Sequence, residues 1–355
     1  MKRILIVIHN IVNRAGTQRA VTNLANILAE QGYKVFICSM ESNCGEVPFE
    51  IDSSVFVKHL NLKMDFNNRL DALNYKIKLL KLIKTMILED EIHYVIGTNY
   101  LINQLLFFLP KGIKTIACEH FSSLIYSKTH MFLRNILWKN LDAVVLLTEQ
   151  DKKNYKHFNN TYVIPNSMSF IPTKFSDCKA KKIVSLGRFT YQKGFDILID
   201  AIVLLKDKLT GWSIEIYGYG EDKEFLKNKI TQNDLDKIIY IKDNTSDVES
   251  VYSSASIYLF PSRFEGFGMV LLEAQSCGLP AVSFDCPCGP SDIIVEEKTG
   301  FLIPLGDVEL FSKRLLELVN NEKLRIEMGK NAIINAKRFS KDRIALMWKT
   351  LLEKI

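Results

Sequence analysis

No stretch of this 355-residue chain is apolar enough to cross a bilayer. Its longest apolar runs, "VYSSASIYLF" and "INQLLFFLP", are interrupted by polar residues or fall short of the roughly 20 apolar residues that a spanning helix needs. The opening "MKRILIVIHN" has too short an apolar core, and no small-residue cleavage site, for a secretory leader, so it reads as a first strand. Cysteine is sparse: Cys38, Cys44, Cys118, Cys178, Cys277, Cys286 and Cys288 are odd in number and scattered. That suits reduced thiols in a cytosolic protein and argues against a disulfide framework. Only Cys286 and Cys288 are close together, and a C-x-C with no second Cys/His pair at ligand spacing is a weak zinc signal. Zinc-finger, RNA-recognition and helix-turn-helix signatures are missing, which leaves nucleic acid without support as a partner.

What is present is length and rhythm. A chain of this size exceeds what one hydrophobic core usually supports, so two domains are expected. Short apolar runs at 3–9, 34–40, 94–98, 114–120, 143–147 and 162–165 alternate with helical stretches near 18–31 and 72–89. After the linker "SMSFIPTKFSDCKAK" the rhythm restarts, with strands at 182–187, 213–218, 238–241, 257–261 and 281–284. Helices fall near 193–206, 221–232 and 268–277, and a long helical tail begins near 307. Strands that are apolar throughout belong inside parallel sheets covered on both faces, so the expected class is α/β with two doubly wound domains. Charge is uneven: residues 1–175 hold 21 Lys/Arg against 14 Asp/Glu, and residues 176–355 hold 25 against 26. A basic first half points to an anionic partner there.

In such folds ligands meet the loops that leave the carboxyl ends of the strands. "HNIVNRAGTQRAV" carries Gly16 at the start of the first helix, where backbone amides and the helix N-terminus favour an anion, although the full G-x-G-x-x-G pattern is missing. "CEHFSS" puts Glu119 and His120 on the same rim, and His120 reads either as a hydrogen-bonding or general-base group or as an ordinary loop histidine. "SLGRFTYQKGFDILIDA" places Arg188 just after a strand and Lys193 at the start of the next helix, a spacing that lets both cations converge on a diphosphate. "YGYGEDKEFL" adds Gly218 and Gly220, half a nucleotide fingerprint or a plain turn. In "FEGFGMVLLEAQSCGLP" Glu265 falls in a loop beside Gly266 and Gly268, whereas Glu273 falls in the second turn of the helix that follows. The two glutamates therefore form neither a shared helical face nor a metal clamp. Asp234-Leu235-Asp236 sits in a polar turn and reads as solvated charge, not as a metal-binding pair.

Gly16, His120, "GRFTYQKG" and "EGFGMVLLEAQSCGLPAV", with its E-x7-E spacing, resemble the GT-B retaining glycosyltransferases of family 4 over nearly the whole chain. The resemblance implies two Rossmann-like domains facing a central cleft: residues 1–170 on the acceptor side, 171–335 binding the nucleotide sugar, and a helix at 336–355 packing back toward the first. It implies that Arg188 and Lys193 bind the donor diphosphate, Glu273 the ribose and Glu265 the donor sugar. The amides around Phe267, Gly268, Met269 and Val270 would hold sugar hydroxyls and phosphate, His120 would lie near the transferred sugar, and Gly16 beside the donor. One departure is visible, because the first loop of the family usually reads Gly-Gly and here reads Ala15-Gly16.

The implied reaction moves a hexose or N-acetylhexosamine from a UDP-sugar to a saccharide, with neither cofactor nor metal. The helix at 72–89 mixes Lys76, Lys78, Lys81 and Lys84 with leucine and isoleucine, which fits either an anionic bilayer or a sheet-packed helix with a lysine outer face. "MFLRNILWKN" adds Arg134, Trp138 and Lys139 to the same basic half. With the resemblance of "GTQRAVTNLA" and "FDCPCGPSDII" to bacterial enzymes of O-antigen, capsule or exopolysaccharide assembly, this implies a saccharide or polyprenyl-diphosphate-linked saccharide acceptor, met in the cytoplasm or in peripheral contact with the inner membrane. A sugar-nucleotide epimerase of the same architecture and a non-catalytic nucleotide-sugar-binding protein are the competing readings.

Overall fold

A computed structural model describes residues 1–13, 15–41, 45–63, 68–120 and 127–355. The chain divides into two compact units, residues 1–169 with 341–355 and residues 170–340. Cys44, among the cysteines considered above, lies outside the described residues.

The first unit runs β1 (Arg3–Ile8), α1 (Gly16–Glu30), β2 (Lys34–Ser39), β3 (Phe56–His59), α2 (Arg69–Glu89), β4 (Tyr94–Gly97) and α3 (Tyr100–Leu105). It continues with β5 (Lys114–Glu119), α4 (Lys128–Leu137), β6 (Ala143–Leu146), α5 (Glu149–Lys152) and β7 (Thr161–Val163). The strands pair in parallel in the order β3-β2-β1-β4-β5-β6-β7. Alternation along β1 shows why: Ile4, Ile6 and Ile8 enter the core on one sheet face, Leu5 and Val7 the core on the other. On the second of these faces α2 buries Tyr75, Leu79, Ile83, Met86 and Ile87, the four-residue spacing of one helical stripe. Its N-terminus is held by Asn68, whose side chain accepts from the amides of Leu70 and Asp71.

The second unit runs β8 (Lys182–Leu186), α6 (Phe195–Val203), β9 (Ser213–Tyr217), α7 (Lys223–Gln232), β10 (Ile239–Lys242), α8 (Val248–Ser253) and β11 (Ile257–Phe260). Next come α9 (Met269–Ser276), β12 (Ala281–Asp285), α10 (Pro290–Ile293), β13 (Gly300–Pro304), α11 (Val308–Asn320) and α12 (Glu322–Ala336). Here the parallel order is β10-β9-β8-β11-β12-β13. The last helix, α13 (Lys341–Lys354), returns to the first unit and packs beside α1, with Tyr94 donating to the Leu352 carbonyl at 3.0 Å and Gln31 to that of Ala345 at 2.6 Å.

Several expectations shift at their edges. The helix read at 193–206 is a tight turn over Tyr191–Lys193 followed by α6, because Gly194 between them takes a left-handed conformation (φ +66°) that ends one and starts the other. Lys193 therefore precedes the helix instead of opening it. The tail read as helical is preceded by a strand, β13, and breaks into three helices at Asn321, which caps α12 through the Leu324 amide, and at Ser340. The short elements β3, α3 and α4 carry too few periodic residues to stand out in sequence.

Candidate functional site

Strand order reverses between β8 and β11, so the loops leaving these neighbouring strands must open side by side at one sheet edge. Residues 187–194 form the first loop and 261–268 the second. They are laced together: the Arg263 amide donates to the Gln192 carbonyl at 2.8 Å, and Gln192 Nε2 donates to the Phe264 carbonyl at 3.0 Å. The Arg263 guanidinium grips Asp196 with both terminal nitrogens, at 2.8 and 2.6 Å, and lies over the Tyr191 ring at 4.0 Å. Gly194 comes so close to Pro261 that a Cβ there would sit 2.1 Å from its carbonyl oxygen.

Inside this lacing Lys193 Nζ meets Glu265 Oε1 at 2.6 Å, and Ser262 Oγ donates to the same oxygen at 2.7 Å. The Lys193 side chain is 15% exposed and that of Glu265 8%, so this ion pair is largely desolvated and oriented by its hydroxyl neighbour. Arg188, by contrast, is exposed and has no ion-pair partner among the described residues. The structure thus joins Lys193 to Glu265 in an ion pair, whereas Arg188 is an exposed cation. Sequence reasoning missed Asp196, Ser262 and Arg263. They lie within three residues of Lys193 or Glu265, but only the strand order reveals that they face each other.

Past Glu265, Gly268 takes a left-handed conformation (φ +98°) and opens α9 without a side-chain cap, leaving the first amides of the helix uncovered by any cap side chain. Phe267, Gly268 and Met269 are buried, whereas Gly266 and Val270 are half-buried. Gly289 lies so near Phe267 that a Cβ would come 2.0 Å from its carbonyl oxygen, so "DCPCG" serves as a close backing for this loop. Cys286 and Cys288 are both buried there, and burial pushes the Cys286 thiol up, away from the thiolate a metal would need. Glu273 is 1% exposed, and Tyr252 donates to its Oε2 at 3.4 Å. Gly218 and Gly220 owe their identity to packing: a Cβ would lie 1.9 Å from the Gly187 carbonyl oxygen or 2.3 Å from that of Phe189. Asp234 is exposed and paired with Lys206 at 3.0 Å, and Asp236 accepts from Thr231. Among the described residues no group of three or more His, Cys, Asp and Glu is placed to hold a metal ion.

In the first unit Gly16 is the first residue of α1, exposed, behind an extended Ala15 that supplies no side-chain cap. His120 follows β5 and lines a small cavity with Cys118, Leu147, Asn166, Ser167 and Trp348. Its Nε2 is buried without a hydrogen-bond partner among the described residues, and burial lowers its pKa to about 4. A ring so weakly basic is neutral at pH 7. The folded pKa lies below the usual value near 6.5, so the unfolded chain binds more protons between the two. Stability is then expected to fall as pH drops from about 6.5 toward about 4, with a slope of up to about 1.4 kcal/mol per pH unit. Urea titrations across that window should show the slope in the wild type and a smaller one in His120→Gln; equal slopes would remove His120 as the cause.

Arg134 and Trp138, grouped by sequence with the basic surface, are both buried. Arg134 packs its guanidinium over the Tyr155 ring at 4.2 Å, leaving Lys139 as the exposed member.

Comparison with known proteins places this geometry. Residues 170–334 match the family model described as glycosyl transferases group 1. An uncharacterized glycosyltransferase of Haemophilus influenzae is 32% identical over 99% of this chain and 100% of its own. The amylovoran biosynthesis glycosyltransferase AmsD of Erwinia amylovora is 29% identical over the same shares. Among solved structures, a TarM mutant of S. aureus in complex with fondaparinux, α-GlcNAc-glycerol and UDP aligns with a TM-score of 0.82 over 99% of both chains at 17% identity, a likeness of fold. Two parallel-sheet Rossmann-like units with laced loops at a strand switch, and a relative matched end to end above 30% identity, lead to one conclusion: the chain is a glycosyltransferase of GT-B fold and belongs to the glycosyl transferases group 1 family.

Proposed function

We propose that this glycosyltransferase moves a hexose or N-acetylhexosamine from a UDP-sugar to a polyprenyl-diphosphate-linked saccharide, with retention of configuration, as a family 4 enzyme of bacterial surface polysaccharide assembly. The observation that carries the reading is the buried Lys193–Glu265 pair beside the uncapped N-terminus of α9. In this reading Lys193 and Arg188 meet the diphosphate and stabilise the charge that grows on the leaving nucleotide, and the amides of Phe267 to Val270 assist from the helix end. Glu265 fixes the Lys193 ammonium and turns its remaining oxygen to the donor sugar, Glu273 accepts from the ribose, and neutral His120 donates to or accepts from a sugar hydroxyl. Gly16 keeps the entry of α1 open to the donor, and the packing of Gly218 and Gly220 sets the shape of the Arg188 loop. Transfer proceeds on the front face, with the departing phosphate drawing the acceptor proton. The amylovoran role in the name of the Erwinia relative and the UDP bound to TarM support the polysaccharide and UDP parts.

Turnover of a panel of radiolabelled sugar nucleotides, with and without lipid-linked saccharides, tests this. Label should move only when an acceptor is present; conversion without acceptor would make the protein an epimerase, and binding without turnover a carrier. Because charge stabilisation is assigned to side chains and amides, most transfer activity is expected to survive EDTA. Full loss on chelation, restored by a divalent ion, would overturn the metal-free mechanism.

A further inference from the structure

Helix α4 is turned the wrong way for one that merely covers a sheet. Arg134 points inward, 1% exposed, while Phe132, Leu133 and Ile136 point outward, 64%, 41% and 50% exposed. Positions i, i+1 and i+4 share one side of a helix, so the three form a continuous apolar stripe. Leaving such a stripe in water while burying a guanidinium is doubly unfavourable, and contact with a second apolar medium relieves the outer half of that cost.

Other elements on the same sheet face also expose apolar side chains. α2 packs on the same sheet face and turns Leu73 and Ile77 outward, and Phe108, just past α3, is half exposed. On the opposite face, α1 and α13 together expose Leu346 and Met347 as large hydrophobics among the described residues. Charge is equally one-sided: α2 holds five Lys/Arg against two Asp/Glu, and residues 128–140, with Arg134 turned inward, add two lysines against no acid. Lys78 and Lys81 on α2, Lys128 at the start of α4 and Lys139 just past its end are exposed. Exposed aromatic and aliphatic side chains accompanied by exposed lysines on the same helices suit a fluid anionic surface that needs no matching shape.

We propose that the outer side of α4, with that of α2 on the same sheet face, docks on an anionic bilayer, with Phe132, Leu133 and Ile136 entering the boundary between headgroups and acyl chains. The proposal deepens the reading of a lipid-linked acceptor and locates the contact mainly on α4, not on the lysine helix alone.

Co-sedimentation tests it without any turnover. The full chain should sediment with vesicles of phosphatidylglycerol and phosphatidylethanolamine and stay in solution with phosphatidylcholine alone. F132S/L133S/I136S should lower the bound fraction by about tenfold or more, and K78E/K81E should lower it at low salt, where electrostatic attraction is strongest. All these positions are exposed, so circular dichroism should be unchanged, and turnover on a water-soluble saccharide acceptor should persist in the triple variant. Failure of the catalytic reading would appear as absent turnover while vesicle binding remained. Equal sedimentation of wild type and triple variant, or no binding at all, would overturn the proposal. So would a wild-type dimer that the triple substitution splits without affecting vesicle binding, since the face would then join two copies of the chain.

Discussion

Lys193→Ala is expected to lose at least about tenfold in kcat/KM, which corresponds to about 1.4 kcal/mol of transition-state stabilisation, and to lose stability as well. The second effect follows from geometry. Glu265 lies 2.6 Å from the Lys193 ammonium with its side chain 8% exposed, so removing the lysine strands a nearly buried carboxylate. Breaking one side of a buried pair costs about 3–5 kcal/mol, and the partial exposure of Lys193 puts this case near the lower end. Activity and stability must therefore be separated. Lys193→Met combined with Glu265→Gln removes both charges and should recover most of the stability, leaving Ser262 a hydrogen-bond partner in the new amide. If the ammonium works on the diphosphate, the double variant stays inactive although folded. Wild-type kinetics in the stable double variant would sink the assignment of Lys193 to the donor.

Gly194→Ala should be strongly damaging, because it wedges apart the two loops that hold Lys193 and Glu265. The residue sits at φ +66°, and the added Cβ would fall 2.1 Å from the Pro261 carbonyl oxygen, a backbone atom that cannot rotate away. The left-handed conformation and the clash together are expected to cost about 2–4 kcal/mol, which lowers the melting temperature by about 5–10 °C for a domain of this size. Relief of the clash parts the two loops, so Lys193 and Glu265 should separate and the KM for the donor should rise. Gly306→Ala is the control: its φ of +87° is as unusual, but nothing lies within 4 Å of the new Cβ. Thermal melts of the two variants should therefore differ by the cost of the clash. Equal melting points would show that the approach of Gly194 to Pro261 carries no weight.

Much of the fold was legible because its signals are local. Apolar runs such as "RILIVI" and "IYLF" match β1 and β11, since parallel strands buried on both faces tolerate no polar alternation. Edges were less legible. β3 is a half-exposed border strand without a continuous apolar run, and the end of the turn at Lys193 depends on one glycine whose left-handed conformation shows only in space. Burial on α4 could not be read either, because sequence reasoning puts arginine outside and phenylalanine inside, whereas Arg134 and Phe132 do the reverse.

The sequence by itself determined the class of the fold, the loops that leave the strand ends and the residue types gathered there: an arginine, a lysine, two glutamates and the glycines around them. Periodicity and spacing are properties of neighbours along the chain, and they suffice for that much. Only the tertiary structure decided which of these residues meet. Lys193 and Glu265 are 72 positions apart and become partners because strand order reverses between β8 and β11, which brings two distant loops to one edge. The same reversal recruits Ser262, Arg263 and Asp196 as their supports. Pairing of this kind depends on the order in which strands assemble, and no local pattern encodes it.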